Sequence, residues 1–127
     1  MAEPNRANRP LSPHLGIYRP QLTSVTSILT RITGNALLLG AFLVVAWFLA
    51  AAISPEAFAT INGLMTGWLG DLVMTLSLWA LWYHALAGLR HLIWDAGIGL
   101  ELETAEKLGW GVIGGSVLLT ILTLLIV

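Results

Sequence analysis

An all-α membrane protein with three transmembrane helices is predicted, and three observations carry that prediction. Of 127 residues, 57% are hydrophobic and 10% charged, with a mean hydropathy of +0.81, far more apolar than a soluble core requires. Three runs are apolar for long enough, at about 1.5 Å per residue, to cross roughly 30 Å of hydrocarbon. The stretches between them are too short for a second domain. Residues 1–127 are therefore expected to form one membrane-anchor domain, with an N-terminal segment at 1–23 and spans at about 32–53, 72–94 and 108–127. The absence of cysteine excludes disulfides, thiolate metal sites and cysteine nucleophiles, and leaves histidine as the strong nitrogen ligand. A formal charge of −1 points to neither nucleic acid nor a basic membrane-surface protein.

The first segment, Met1 to Thr23, is polar and carries Pro4, Pro10, Pro13 and Pro20, so it is expected to be extended. Leu11, Leu15, Ile17 and Tyr18 leave two readings open, a disordered tail or a strap ordered against a soluble partner. His14 in this segment is not expected to be a ligand. From Ser24 the pattern turns helical, and Ile32 to Ile53 is an uncharged run of 22 residues. A cleaved secretory signal competes here, because Ala50, Ala51 and Ala52 resemble a cleavage site. The run exceeds the usual apolar core of about 7 to 15 residues, and its polar leader is too long, so a retained span is expected.

Ser54 to Gly70 connects the first two spans, with a short interfacial helix expected around Ala57 to Met65. The second span follows, then an acidic loop with Glu101, Glu103 and Glu106, then the uncharged third span from Leu108. All 6 basic residues fall in the N-terminal segment, at the edges of the spans beside it or in this second loop. The positive-inside rule then places the N-terminus in the cytoplasm and the C-terminus outside, in the periplasm of a bacterium. Gly111 and Gly115 form a GxxxG spacing in the third span that would let another helix approach.

The unusual chemistry lies in WYHALAGLRHLIWD, Trp82 to Asp95. At 100° per residue, His84, Gly88, His91 and Asp95 share one narrow face of the second span. A polar ring at the depth of His84 needs a partner, either a neighbouring helix to which it hydrogen-bonds or a metal that it ligates. Haem iron is the metal this pattern suits. His91 cannot be a second ligand to the same iron, because it sits about 10 Å further along the same helix face. No third histidine lies within the membrane, so a six-coordinate haem would need its other ligand from another chain. Gly88, one turn from His84, would leave room for the macrocycle.

Ser27, Thr30 and Arg31 lie at the entrance of the first span, and are expected at the level of Arg90, His91 and Asp95. These residues would line one pocket, with arginine paired to a haem propionate and serine and arginine donating to a quinone carbonyl. Arg31 alone is equally well explained as a snorkelling anchor at a span end.

Three segments carry a family likeness: RPLSPHLGIY at Arg9 to Tyr18, SILTRITG at Ser27 to Gly34 and HALAGLRHLIWD at His84 to Asp95. Together they resemble the cytochrome b subunit of succinate dehydrogenase, respiratory complex II, over nearly the whole chain. The most specific element is H-x-x-x-G-x-R-H-x-x-x-D in the second span, with S-x-x-x-R before the first. One position departs, since the family usually has histidine before the arginine, where this chain has Thr30. The resemblance implies half of a two-chain haem-binding helix bundle, sharing one haem b with a second small membrane subunit. It implies His84 as the axial ligand to haem iron, Arg31 and His91 on the propionate side, Gly88 packing on the haem, and Ser27 and Arg31 at a quinone site. It further implies that the chain is not catalytic alone and assembles with an iron-sulfur subunit and a flavoprotein subunit in the bacterial inner membrane. Ubiquinone and membrane lipids are its other expected partners, and nucleic acid is not one. The alternatives are a haem-free structural anchor or a fumarate reductase membrane subunit.

Overall fold

The structure is a computed structural model that describes Ser12 and residues 14–127, so the expectations for residues 1–11 and Pro13 lie outside the described residues. Four helices follow one another: α1 (Leu22–Ile53), α2 (Pro55–Met65), α3 (Trp68–Asp95) and α4 (Leu102–Ile126). Three of them, α1, α3 and α4, are long and apolar enough to cross a membrane. Each runs beyond the apolar stretch inside it. At the start of α1 the reason is local: the hydroxyls of Thr26, Thr30 and Thr33 donate to the carbonyls of Thr23, Thr26 and Leu29, so polar residues continue the helix. Helix therefore begins two residues before Ser24. Ahead of it, His14 closes a turn, its carbonyl accepting from the amides of Ile17 and Tyr18 and its Nδ1 from that of Gly16.

The short helix expected near Ala57 is α2. Its start is set by Ser54, whose side chain accepts from the Ala57 amide, and by Pro55 in the first turn, where a missing N–H costs nothing. The Glu56 carboxyl is held below its usual range by a hydrogen bond at its own backbone amide and, less, by the Ser54 hydroxyl. Two residues, Thr66 and Gly67, separate α2 from α3, and any Cβ at Gly70 would collide with the carbonyls of Met65 and Leu64. At its other end α3 closes on Gly97, whose φ of +74° lets its amide reach the Trp94 carbonyl while Ile98 reaches Ile93.

The core lies where α3 meets both partners. Tyr83, Ala87 and Val112 are buried together, with Leu29, Trp79, Leu86 and Ile113 packed around them. Gly115 faces Leu86, with its ideal Cβ position only 3.0 Å from the leucine Cδ1, so α4 approaches α3 closely there. Gly111, the other half of the GxxxG spacing, meets nothing within 4 Å. The pair therefore does not act as one packing seam within the chain. Most large apolar side chains point outward, including Phe42, Phe48, Leu118 and Leu125, as they do on a surface that faces lipid or other helices.

Candidate functional site

The register of α1 against α3 is fixed by hydrogen bonds at one end of the bundle. Tyr83 is fully buried, and its hydroxyl donates to the Thr26 carbonyl at 3.0 Å. Arg90, only 3% exposed, donates from Nη1 to the Thr26 hydroxyl at 3.0 Å and lies over the Trp94 ring at 4.7 Å. Trp94 in turn donates to the Gly99 carbonyl at 3.1 Å, tying the α3–α4 loop into the same cluster. These links join α1, α3 and the loop around one threonine.

One turn deeper, His84 meets α1. Its Nδ1 lies 3.1 Å from the Thr30 carbonyl and 3.4 Å from the Thr33 hydroxyl. A carbonyl only accepts, so Nδ1 carries the proton and Nε2 keeps its lone pair. Gly34 makes the approach possible, because its ideal Cβ position is just 3.0 Å from His84 Cε1. One ring nitrogen thus bonds the neighbouring helix, and the other makes no hydrogen bond among the described residues. A backbone carbonyl on the second nitrogen is the usual way a protein orients a metal-ligating imidazole.

Gly88, one turn along the same face, meets nothing within 4 Å, so the surface beside His84 is open. His91 follows, exposed, with Nδ1 donating to the Ala87 carbonyl of its own helix at 2.7 Å and the ring edge-on to Trp94 at 5.2 Å. Toward the other membrane face, the groove between α1 and α3 continues past Leu37 and Leu81 as an apolar cleft of about 410 Å³. Gly40 lies against the Ser77 hydroxyl in its wall.

Of the two quinone-site candidates, Ser27 lies at the expected level and Arg31 deeper. Ser27 follows Thr26, at the depth of Arg90, while Arg31 follows Thr30, at the depth of His84. Asp95 lies outside that pair, about 7 Å beyond Arg90 along α3. Helix α1 runs antiparallel to α3, so each step inward on one is a step outward on the other. Ser27 is half-buried and Arg31 exposed, and neither side chain hydrogen-bonds to α3 among the described residues. No group of three or more metal-binding side chains exists among the described residues.

Sequence reasoning missed Thr26, Tyr83 and Gly34. The available signal was the stripe of Thr26, Thr30 and Thr33 at helical spacing, which marks the face of α1 that meets polar groups.

The comparisons with known proteins agree with one another. The profile of the family described as succinate dehydrogenase/fumarate reductase transmembrane subunit matches residues 5–123. The succinate dehydrogenase cytochrome b556 subunit of Paracoccus denitrificans is 56% identical over 126 residues, which cover 99% of this chain and 97% of that protein. The cytochrome b560 subunit of Reclinomonas americana is 40% identical over 94% of this chain and 86% of its own length. The cytochrome b556 subunit of Rickettsia bellii is 38% identical, covering 90% and 89%.

Proposed function

Because this chain belongs to the succinate dehydrogenase/fumarate reductase transmembrane subunit family, we propose that His84 is one axial ligand of a haem b shared with a second membrane subunit. As a non-catalytic membrane subunit of succinate dehydrogenase, the chain anchors the enzyme in the inner membrane and serves the quinone end of its reaction. The supporting observation is the state of the His84 ring: Nδ1 is held by the Thr30 carbonyl against Gly34, and Nε2 is left with a free lone pair beside the open Gly88.

The residues present suit a haem. Gly34 is where a side chain would crowd the ring, and Gly88 leaves the surface beside it bare. His91, with Nδ1 occupied by Ala87, has Nε2 available toward a propionate, and Arg31 supplies a cation on the same side. Haem, when bound, would supply a one-electron redox centre beside the quinone site. This chain's part is to set the ligand's tautomer, to shape an apolar groove that excludes water, and to place Ser27 and Arg31 where a quinone carbonyl would accept from them. Thr30 presents its carbonyl to His84 and its hydroxyl to Thr26, so it is spent on structure and not on a propionate.

The remaining partners follow the same reading: an iron-sulfur subunit, a flavoprotein subunit and ubiquinone, with the N-terminus in the cytoplasm. Residues 1–127 act as one anchor domain. A reporter fused after Val127 is expected to be periplasmic, and cytoplasmic activity there would reverse the placement. For the haem, the purified complex carrying His84→Leu is the test. Loss of the low-spin bis-histidine absorbance, with all subunits still present, is the expected result. An unchanged spectrum in assembled complex would remove His84 from the iron.

A further inference from the structure

Resting on the reading that Ser27 donates to a quinone carbonyl, we infer that Thr26 is the positioning residue of that donor, its hydroxyl taking the backbone carbonyl that would otherwise capture Ser27. Hydroxyl groups inside these helices bond back onto their own chain. Thr30 donates to the Thr26 carbonyl and Thr33 to that of Leu29, both at 2.8 Å, as Ser77 does to Val73. Thr120 and Thr123 reach Ser116 and Leu119 at 2.7 Å. Each uses the carbonyl four residues back, the local acceptor open to serine and threonine in a helix. Past the first turn of α1, Ser27 is the exception, because its hydroxyl makes no hydrogen bond among the described residues.

The carbonyl four residues before Ser27 is that of Thr23, and it is already taken. It receives the Ser27 amide within the helix and the Thr26 hydroxyl at 3.1 Å, which together use both of its lone pairs. Arg90 fixes the direction of the second bond. Its Nη1 lies 3.0 Å from the Thr26 hydroxyl, and a guanidinium only donates, so the threonine oxygen accepts from α3 and sends its own proton to Thr23. The Thr26 carbonyl, by contrast, serves Tyr83 and Thr30 besides the helix amide. Tyr83 is sealed inside the bundle and has to share, whereas Ser27 is half-buried and can serve a ligand instead. Little else steadies this end of α1, since Gln21 gives no side-chain cap and the first turn holds no acidic residue. Ser27 therefore meets a quinone with its proton unspent. Without the Thr26 hydroxyl, Ser27 would settle on the Thr23 carbonyl, and a quinone would have to break that local bond first.

The test measures kcat/KM for quinone in purified, assembled complex. Thr26→Val keeps the side-chain volume beside Gly109 and should lower it about fivefold, the scale of one local hydrogen bond. Thr26→Ser should restore the wild-type value. Ser27→Ala should be slower than Thr26→Val, and the two combined no slower than Ser27→Ala alone, because the threonine acts only through the serine. A wild-type value in Thr26→Val beside a slow Ser27→Ala would overturn this inference and leave the quinone reading intact. So would Thr26→Ser as slow as Thr26→Val, or a double variant slower than Ser27→Ala, since packing and not the carbonyl would then be at work. A wild-type value in Ser27→Ala would overturn both.

Discussion

Tyr83 and His84 are consecutive residues of α3, yet one is sealed inside the chain and the other lies at its edge. Tyr83 and Ala87 have no exposed surface; they pack on Val112, and the tyrosine hydroxyl is satisfied by Thr26. His84 and Gly88, one residue on and 100° around, have an unpaired ring nitrogen and an empty glycine surface. Toward α4 and the inner side of α1 the helix meets its polar groups apart from Arg90 Nε, and on the other flank it leaves His84 Nε2 without a partner among the described residues. The difference separates what the chain needs in order to fold from what it holds out to a cofactor or a second subunit. It also means that substitutions on the two flanks should be read by different assays, spectra and rates on the open flank and stability on the closed one, with both at Thr26, which also serves Ser27.

The largest effect is expected at the entrance of the open flank. Ser27→Ala and Arg31→Leu should each lower quinone reduction by about 10²-fold, the cost of losing a donor to developing negative charge in a water-excluded site. A quinone carbonyl gains charge as electrons arrive, so a serine hydroxyl orients it and a guanidinium stabilises it. Succinate oxidation by a soluble artificial acceptor should be unchanged in both variants, because the proposed function puts the flavin and iron-sulfur clusters in other subunits. Wild-type quinone reductase rates in assembled enzyme would place quinone elsewhere and leave Arg31 as a membrane-end anchor.

Next in size is Gly34→Val. A Cβ at this position falls 3.0 Å from His84 Cε1, so the ring must shift or lose the Thr30 carbonyl. Partners that orient a metal ligand are typically worth about 10- to 100-fold in metal affinity, and haem occupancy of purified complex should fall on that scale. Gly88→Ala meets nothing among the described residues. Any spectral change it causes reports contact made only in the complex, and an unchanged spectrum would show that the face at Gly88 is not covered by the macrocycle.

On the closed flank, Thr26→Val removes the acceptor of the Arg90 guanidinium while keeping side-chain volume, and Thr26→Ser restores it. The first should cost about 1 kcal/mol of unfolding free energy, within the range for hydrogen bonds between membrane helices, and the second much less. Unfolding in mixed micelles measures both. Equal losses would mean that packing of the threonine methyl, not the hydroxyl, holds α1 in register.

Much of the architecture was readable because lipid imposes a length and a polarity on whatever crosses it. The three spans and the short helix after Ser54 follow from uninterrupted apolar runs and from a serine-proline start. The ends of α1 and α4 were not readable in the same way. At Thr26 and Thr30 the helix continues through polar residues by bonding back on itself, and at Glu103 and Lys107 an i,i+4 pair does the same on the surface. In the site, the His84 face was visible as a helical spacing of unusual residues. Tyr83 looked like any aromatic in a span, and its bond to the Thr26 carbonyl exists only once α1 and α3 are in register. Arg31 was expected at the level of Arg90, His91 and Asp95 for a related reason, since sequence gives the level of each residue along its own helix and not the offset between antiparallel neighbours.

The smallest expected effect concerns a second polar link on the closed flank. Trp82 donates from its indole Nε1 to the Thr123 hydroxyl at 3.0 Å, joining α3 to α4, and that hydroxyl donates in turn to the Leu119 carbonyl at 2.7 Å. The two ends of this bond are not equivalent. Trp82→Phe removes a donor and leaves the threonine with its own backbone bond intact. Thr123→Val leaves the indole N–H without its acceptor in an apolar setting, which costs more than the bond was worth. The valine variant should therefore be the less stable of the two, and the double variant should be close to Trp82→Phe alone. The coupling from the double-mutant cycle should be about 0.6 kcal/mol, the average for such interhelical pairs in membranes. His84 and its spectrum should be unaffected throughout, since the pair points away from the open flank. A haem signal that moved with Thr123→Val would show that the two flanks of α3 are not independent.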